Sequence, residues 1–435
     1  MYVAHCIQRY PPALGGSEAY FARLSRSLVD AGDQVRVWTT NALDLEAFWS
    51  RQGRCLPAGI SLEDGVEIHR HAVWRWPGRR YLLKALSFFP NRRWQCWTLP
   101  CNPIAWGMWR GLQRPQPPFA LVHATAFPYA WPIVCGLRLA QQLHIPFLLT
   151  PFLHLGDPDD PDDRTRRAYL CPALRTLLYV ADRVFVQTKL ERAMLLELGI
   201  APERLVLLGM GVEGAECTGG DRLRVRSQWQ VAGDEVVIGH LANNSREKGS
   251  VDLLRAAEQL WQSGQRFRVV LAGSEMPNFR SFWKHYGWQA RVHRLGVLSP
   301  QQKRDFFAGI DLFALPSRSD SFGLVLLEAW ANGVPNVGYR AGGVAELIRS
   351  GEDGFLVRCG DVHELAKTLG RLIADESLRI RLGADGRNRI RQEFRWKEKL
   401  DCVRSTYHEA IEERHRGGAR RINSFTLLRS LNRTI

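Results

Sequence analysis

The sequence predicts an α/β protein made of two successive, doubly wound domains, each a parallel sheet with helices on both faces. Three observations carry this. The chain has 435 residues, too long for one core and suited to two units of ordinary size. Short apolar runs such as Val3 to Ile7, Phe147 to Thr150 and Leu312 to Leu315 alternate with segments of helical spacing. A strand, a crossover helix and a second strand imply parallel pairing.

Along the chain, Val3 to Ile7 reads as a buried strand and Tyr10 to Ser17 as a loop. Glu18 to Ala31 has helical spacing, with Ala19, Ala22, Leu24, Leu28 and Val29 near one stripe and Gly32 at the stop. Gln34 to Thr39 is β-rich and completes a βαβ unit. Ala120 to Ala124 and Phe147 to Thr150 are strands flanking the helix Ile133 to Leu143. Val184 to Gln187, the helix Glu191 to Leu198, and Leu205 to Leu208 close the first domain, over residues 1–214. The loose composition of Gly214 to Gly220 marks the boundary.

The second domain, residues 215–395, repeats the alternation. Its strands are Glu235 to Leu241, Arg268 to Ala272, Val292 to Leu295, Leu312 to Leu315, Asn336 to Tyr339 and Gly354 to Arg358. Its helices are Ser250 to Ser263, Pro300 to Ala308, Leu324 to Asn332, Val344 to Ile348, Val362 to Asp375 and Glu376 to Phe394. A last helix, Trp396 to Glu413, and a basic tail occupy residues 396–435. In sheets of this kind ligands sit at the carboxyl ends of strands, here in a cleft between domains.

Composition bounds the function. Apolar content of 45% and charged content of 24% are those of a soluble globular protein. Nine scattered cysteines argue against a disulfide framework and for a reducing, cytoplasmic setting. No run is long and apolar enough to span a bilayer, and no leader peptide is visible. The net charge of +15 implies an anionic partner. From Ile68 to Gly156 there is no Asp or Glu, only bases from Arg70 to Arg138 interleaved with tryptophans such as Trp74, Trp94 and Trp131. A second basic run follows Glu413, with Arg414, Arg416, Arg420, Arg421, Arg429 and Arg433. The 68–156 stretch suits an anionic membrane surface, which places the protein peripherally on the inner face. Nucleic acid is disfavoured, since no nucleic-acid module is recognisable.

The chemistry concentrates between Leu315 and Glu346. Ser321, Phe322 and Gly323 precede a helix that starts near Leu324. A helix start offers free N–H groups and a positive dipole end for a diphosphate. Glu328, about one turn in, is placed to meet ribose hydroxyls, and Asp320 on the preceding loop to meet sugar hydroxyls. Lys248, followed by Gly249 at another helix start, is a candidate phosphate clamp, although Lys-Gly is also a common loop dipeptide. Gly15 and Gly16, before the first helix, form a glycine loop without the dinucleotide fingerprint. The run Asp157 to Asp163 reads as a solvated acidic loop and not as a metal site.

Together these motifs resemble the family 4 glycosyltransferases of the two-domain GT-B architecture. The matching segments are Pro11 to Glu18, Lys248-Gly249, Arg294 to Val297, Asp311 to Ser317, Asp320 to Ala329, Gly342 to Glu346 and Asp353 to Val357. The resemblance covers about residues 1 to 410. It implies a nucleotide-sugar donor, UDP- or GDP-linked, held mainly by the second domain, with the last helix returning to the first. Lys248 would then contact the diphosphate, Glu328 the ribose and Asp320 the donor sugar, while the backbone near Gly296 frames the base. His154 falls where the family places a histidine facing the reacting sugar. Transfer would retain configuration, need no metal or other cofactor, and use a hydroxyl of a glycan or lipid-linked acceptor bound to the first domain. Two departures stand out. Asp320 replaces the usual Glu, and His240 stands where an Arg is usual, with Arg246 as its substitute. They leave a second reading open: a degenerate transferase that binds a nucleotide or a membrane without turnover.

Overall fold

The computed structural model describes residues 1–417. Strands β1 (Tyr2–Ile7), β2 (Gln34–Thr40), β3 (Gly59–Glu63), β4 (Val66–His71), β5 (Leu121–Ala124), β6 (Phe147–Leu149), β7 (Arg183–Val186) and β8 (Leu205–Leu207) form one sheet in the order β3-β4-β2-β1-β5-β6-β7-β8. Strands β9 (Val236–Leu241), β10 (Phe267–Ala272), β11 (Val292–Arg294), β12 (Leu312–Leu315), β13 (Asn336–Tyr339) and β14 (Gly354–Val357) form a second, in the order β11-β10-β9-β12-β13-β14. Every pairing is parallel except β3 with β4. Helices cover both faces of such sheets, so strands β5, β6, β12 and β13 are buried along their whole length. The strand order in each sheet turns outward on both sides of its first strand, β1 or β9, which is the doubly wound pattern.

Three features differ from the sequence reading. The hairpin β3–β4 was not expected; Asp64-Gly65 makes its turn and β3 is an exposed antiparallel edge. Part of the basic, Trp-rich stretch 68–156 folds into the short helices Arg79–Leu86, Arg92–Thr98 and Trp106–Leu112. Within that stretch Arg70, Arg79 and Trp131 are buried, so these three contribute nothing to a charged or aromatic surface. Finally, Gly214 to Gly220 is not simply loose: Gly214–Cys217 forms one helical turn, and Asp221 caps the next helix, Arg222–Gln228.

The chain crosses between the two sheets twice, and the crossings touch. Val212 and Arg395 form a parallel bridge, and the Val212 amide donates to the Phe394 carbonyl at 2.9 Å. The helix Trp396–Arg416 then returns to the first domain. Arg404 Nε meets Asp33 Oδ2 at 2.9 Å, and Arg414 meets Asp182 at 3.0 Å. Between them the buried Tyr407 hydroxyl lies 3.2 Å from His5 Nε2 and 2.6 Å from His123 Nδ1. The other ring nitrogens reach Ser25 Oγ at 2.8 Å and Thr150 Oγ1 at 2.7 Å. Of the basic tail, Arg414 and Arg416 belong to this helix, while Arg420, Arg421, Arg429 and Arg433 lie outside the described residues.

Burial drives the His5 pKa down to about 3 and that of His123 well below its ordinary value. Both rings are therefore neutral in the folded protein. Below pH 6.5 the unfolded chain takes up protons that the folded chain refuses, so stability falls with falling pH by about 1.4 kcal/mol per unit for each histidine. The urea midpoint is expected to drop between pH 7 and pH 5; a flat midpoint over that window contradicts neutral burial. Tyr407→Phe removes the shared oxygen and leaves two buried ring nitrogens without it. A loss of about 1–3 kcal/mol is expected in the same assay at pH 7.

Candidate functional site

The site grows from two loops at the carboxyl ends of the neighbouring strands β9 and β12. The loop after β9 carries Lys248 and Gly249, and Gly249 opens the helix Ser250–Gln262 with a positive φ of 77°. A Cβ there would lie 1.9 Å from the Pro316 carbonyl oxygen, so the two loops press together only because residue 249 is glycine. This close approach sets Lys248 over the second loop. Its Nζ donates to Asp320 Oδ2 at 2.7 Å and to the Ser319 carbonyl at 3.2 Å.

Asp320 feels opposing influences. Burial favours its neutral form, but Lys248 and then His154 hold its pKa below the usual carboxylate value, so it stays ionised. The Phe322 amide donates to its other oxygen at 3.4 Å. His154, half-buried on the loop after β6, comes from the first domain and sits beside the Ser319 backbone. Its ring stacks on Tyr169, with centroids 4.8 Å apart and planes 29° apart. Burial, reinforced by the Lys248 charge, lowers its pKa to about 4. The imidazole beside this pair is thus neutral at physiological pH.

The Gly342-Gly343 loop braces the second loop. The Gly343 amide donates to the Asp320 carbonyl at 2.7 Å, and a Cβ on Gly343 would sit 2.4 Å from the Ser321 carbonyl oxygen. Two hydrogen bonds near this loop join the domains: the Gly342 amide to the Gly156 carbonyl at 2.8 Å, and the Leu190 amide to Glu346 Oε2 at 2.9 Å.

Glu328 lies in the helix Leu324–Ala331, capped by Gly323, and is buried. Lys303 Nζ, from the helix Pro300–Gly309, donates to its Oε1 at 2.5 Å. Its Oε2 has no hydrogen-bond partner. Burial raises the Glu328 pKa against the opposing pull of Lys303. A buried acceptor with a spare oxygen is suited to a ligand hydroxyl.

The structure therefore gathers His154, Lys248 and Asp320 into one cluster. Other expected residues stand differently. Phe322 points its ring into the core against Phe394, at 6.3 Å, so Ser321, Phe322, Gly323 and Leu324 offer backbone and not the Phe322 side chain. Gly296, exposed, lies two residues beyond the end of β11, and its carbonyl accepts from the Gly273 amide at 2.6 Å. Gly15 and Gly16 are exposed beside the buried Arg9–Glu18 ion pair on the first domain. Arg246 is exposed at the rim, and His240 is occupied structurally, between the Ala314 carbonyl and Ser250 Oγ, both at 2.8 Å. The sequence reading missed Lys303 and Tyr169. Neither sits in a motif, and only the fold brings Lys303 to Glu328 and Tyr169 to His154.

Asp159, Asp160 and Asp162 are exposed, as an acidic loop requires, but Asp163 has a job: it caps the helix Arg164–Tyr169. A cleft of about 550 Å³ opens between this loop and Arg358 to Val362, and Lys248 and Asp320 are not among its lining residues. Among the described residues no group of three or more His, Cys, Asp or Glu side chains is placed to hold a metal ion.

Comparison with known proteins gives the family and the fold. The family description "Glycosyl transferase 4-like domain" matches residues 15–211, and "Glycosyl transferases group 1" matches residues 221–389. The protein belongs to the family 4 (group 1) glycosyltransferases. It is similar to the D-inositol 3-phosphate glycosyltransferase of Stackebrandtia nassauensis, 26% identical over 421 residues, covering 92% of this chain and 88% of that protein. The enzyme of the same name from Corynebacterium efficiens is 32% identical over 275 residues, 60% of this chain and 64% of that protein, just under two thirds of its length. Among solved structures, sucrose-phosphate synthase from Thermosynechococcus elongatus superposes with a TM-score of 0.72 at 21% identity, over 94% of this chain and 99% of that one. Anabaena HepE in complex with UDP and glucose gives 0.70 at 20% identity, over 94% and 100%. Both share the GT-B fold with this glycosyltransferase.

Lys248→Ala removes the cation from the cluster and is expected to lower kcat by about 100-fold or more. Glu328→Gln keeps shape but weakens a charged hydrogen bond, raising the donor KM by roughly 10-fold to 100-fold with a smaller change in kcat. Steady-state kinetics of the two variants checks both. Wild-type constants in each would remove these residues from the site.

Proposed function

We propose that this glycosyltransferase moves a sugar from a nucleoside-diphosphate sugar to an acceptor hydroxyl, with retention of configuration and without a metal. The observation that carries the reading is the Lys248–Asp320 pair, 2.7 Å across, facing the neutral His154. In the transfer the bond from the anomeric carbon to the diphosphate oxygen breaks and a bond to the acceptor oxygen forms. The acceptor's proton passes to the departing diphosphate. Negative charge grows on that diphosphate, and Lys248, with the helix start at Leu324, is the built-in counter-charge that a metal would otherwise supply. Asp320 turns from Lys248 to the sugar hydroxyls, and the spare oxygen of Glu328 takes the ribose.

Residues 215–395 are the donor half and residues 1–214 the acceptor half in this reading, with 396–435 closing the fold. UDP is the first donor nucleotide to test, because the Anabaena structure of the same fold holds UDP; GDP is the second. The acceptor is a hydroxyl of a glycan or lipid-linked molecule at the cytoplasmic face. All nine cysteines are free, which suits a reducing compartment. Among the described residues no helix is long and apolar enough to cross a membrane. The acid-free stretch 68–156 then supports peripheral contact with an anionic membrane.

A thermal-shift screen of UDP- and GDP-sugars tests the donor. A donor at about 100 times its Kd adds about 2.7 kcal/mol of apparent stability. One nucleotide series is expected to raise Tm, and that donor should turn over equally well with and without EDTA. Loss of turnover in EDTA, restored by a divalent cation, would reject the metal-free mechanism.

A further inference from the structure

Eight of the fifteen exposed large apolar side chains among the described residues fall between Trp76 and Trp106. Most belong to one helical hairpin, formed by Arg79–Leu86, the turn 87–91 and Arg92–Thr98. The first helix is inverted relative to an ordinary surface helix. Its inner face is held by Leu83 and by Arg79, which is buried and donates to the Asn102 carbonyl at 2.7 Å. Its outer face presents Tyr81, Leu82 and Leu86. The turn adds Phe88 and Phe89, and the second helix adds Trp94. Tyr81 is 82%, Phe88 76% and Phe89 62% exposed. A surface helix normally turns its polar side outward, and contiguous exposed aromatics mark an interaction site.

The hairpin is built and not frayed. Trp94 Nε1 donates to the Leu86 carbonyl at 2.8 Å, and the Gln95 amide group donates to the Ser87 carbonyl at 3.1 Å and the Phe89 carbonyl at 3.3 Å. The rings are therefore presented from a fixed turn. Around them stand the exposed bases Arg80, Lys84 and Arg93, and residues 76–97 contain no acid. Apolar rings at a tip with a basic collar and no carboxylate match the boundary of an anionic bilayer. The rings enter the acyl region, Trp and Tyr sit at headgroup depth, and the bases meet lipid phosphates. A protein partner of matching shape would have to be acidic around an apolar socket.

The hairpin belongs to the first domain, which also carries His154. Just beyond it the Cys101 thiol donates to the Pro128 carbonyl at 3.3 Å, which ties the end of the hairpin to the loop before the helix Ala130–Leu143.

We propose that the 79–98 hairpin is the membrane anchor of this enzyme, inserting Phe88, Phe89 and Tyr81 into an anionic lipid surface so that a lipid-borne acceptor is taken directly from the bilayer. This rests on the peripheral-membrane reading above and narrows it to one element.

The test is co-sedimentation of the full chain with vesicles of phosphatidylcholine alone and of phosphatidylcholine with 30% phosphatidylglycerol (roughly the anionic fraction needed for a strong surface potential). It compares wild type, Phe88→Asp/Phe89→Asp and Lys84→Glu. The expected result is wild-type binding to the anionic vesicles, at least a tenfold loss in the Phe pair, a smaller loss in Lys84→Glu, and an unchanged thermal shift with the donor nucleotide in all three. Binding by the Phe pair equal to wild type overturns the hairpin assignment and leaves the broader membrane reading standing. No wild-type binding to either vesicle overturns both. Self-association of wild type that the Phe pair abolishes, read by light scattering without lipid, assigns the face to a second copy and overturns the proposal.

Discussion

One buried hydroxyl ties the helix Trp396–Arg416 to the middle of the first sheet. Tyr407, on that helix, shares its oxygen with His5 on β1 and His123 on β5, the strand beside it. A parallel sheet needs helices on both faces, and here the last cover for the first sheet arrives only after the chain has built the second domain. The two crossings, joined by the Val212–Arg395 bridge, follow from that route. So does the cleft, because a chain that must return to its first sheet keeps both sets of strand ends close. Burial of two imidazoles is tolerable because each ring nitrogen has a partner, and the network is correspondingly sensitive to losing one.

On that frame the site is a matter of opposed charges at short range. Burial works against the charged form of Asp320; Lys248 offsets it and holds the pKa below the usual carboxylate value, and the neutral His154 closes the cluster from the other domain. The shorter arm of Asp320, compared with the Glu usual in the family, is already matched by the reach of Lys248 over Gly249. The structure thus gives the substitution a partner. His240 bridges Ala314 and Ser250 and takes no part in the charge pattern, so the cation this loop brings to Asp320 is Lys248, with Arg246 exposed at the rim.

The strands at the heart of both sheets were legible because full burial makes them continuous apolar runs, as in Phe147–Leu149 and Leu312–Leu315. Helix starts were legible where Gly249 and Gly323 stand at them. The edge hairpin β3–β4 was not, because β3 is exposed and its residues follow no core pattern; the Asp64-Gly65 pair was the available cue. In the site, the acids and Lys248 sit in ordered motifs and could be named from spacing. Lys303 and Tyr169 could not, since their role comes from packing between elements distant in sequence. The inverted helix Arg79–Leu86 was visible as composition only; which of its residues face outward is a property of Leu83 and Arg79 turning inward.

Glu328 is paired with Lys303, and Asp320 with Lys248, so each of these buried carboxylates is answered by a lysine of its own domain. Drawing Lys248 away from Asp320 alone would leave a buried carboxylate without its counter-charge, which is costly. On the proposed reading, a donor that carries a diphosphate for the lysine and hydroxyls for the carboxylate on one frame would answer both groups at once, and that joint exchange is the selectivity such a site would impose.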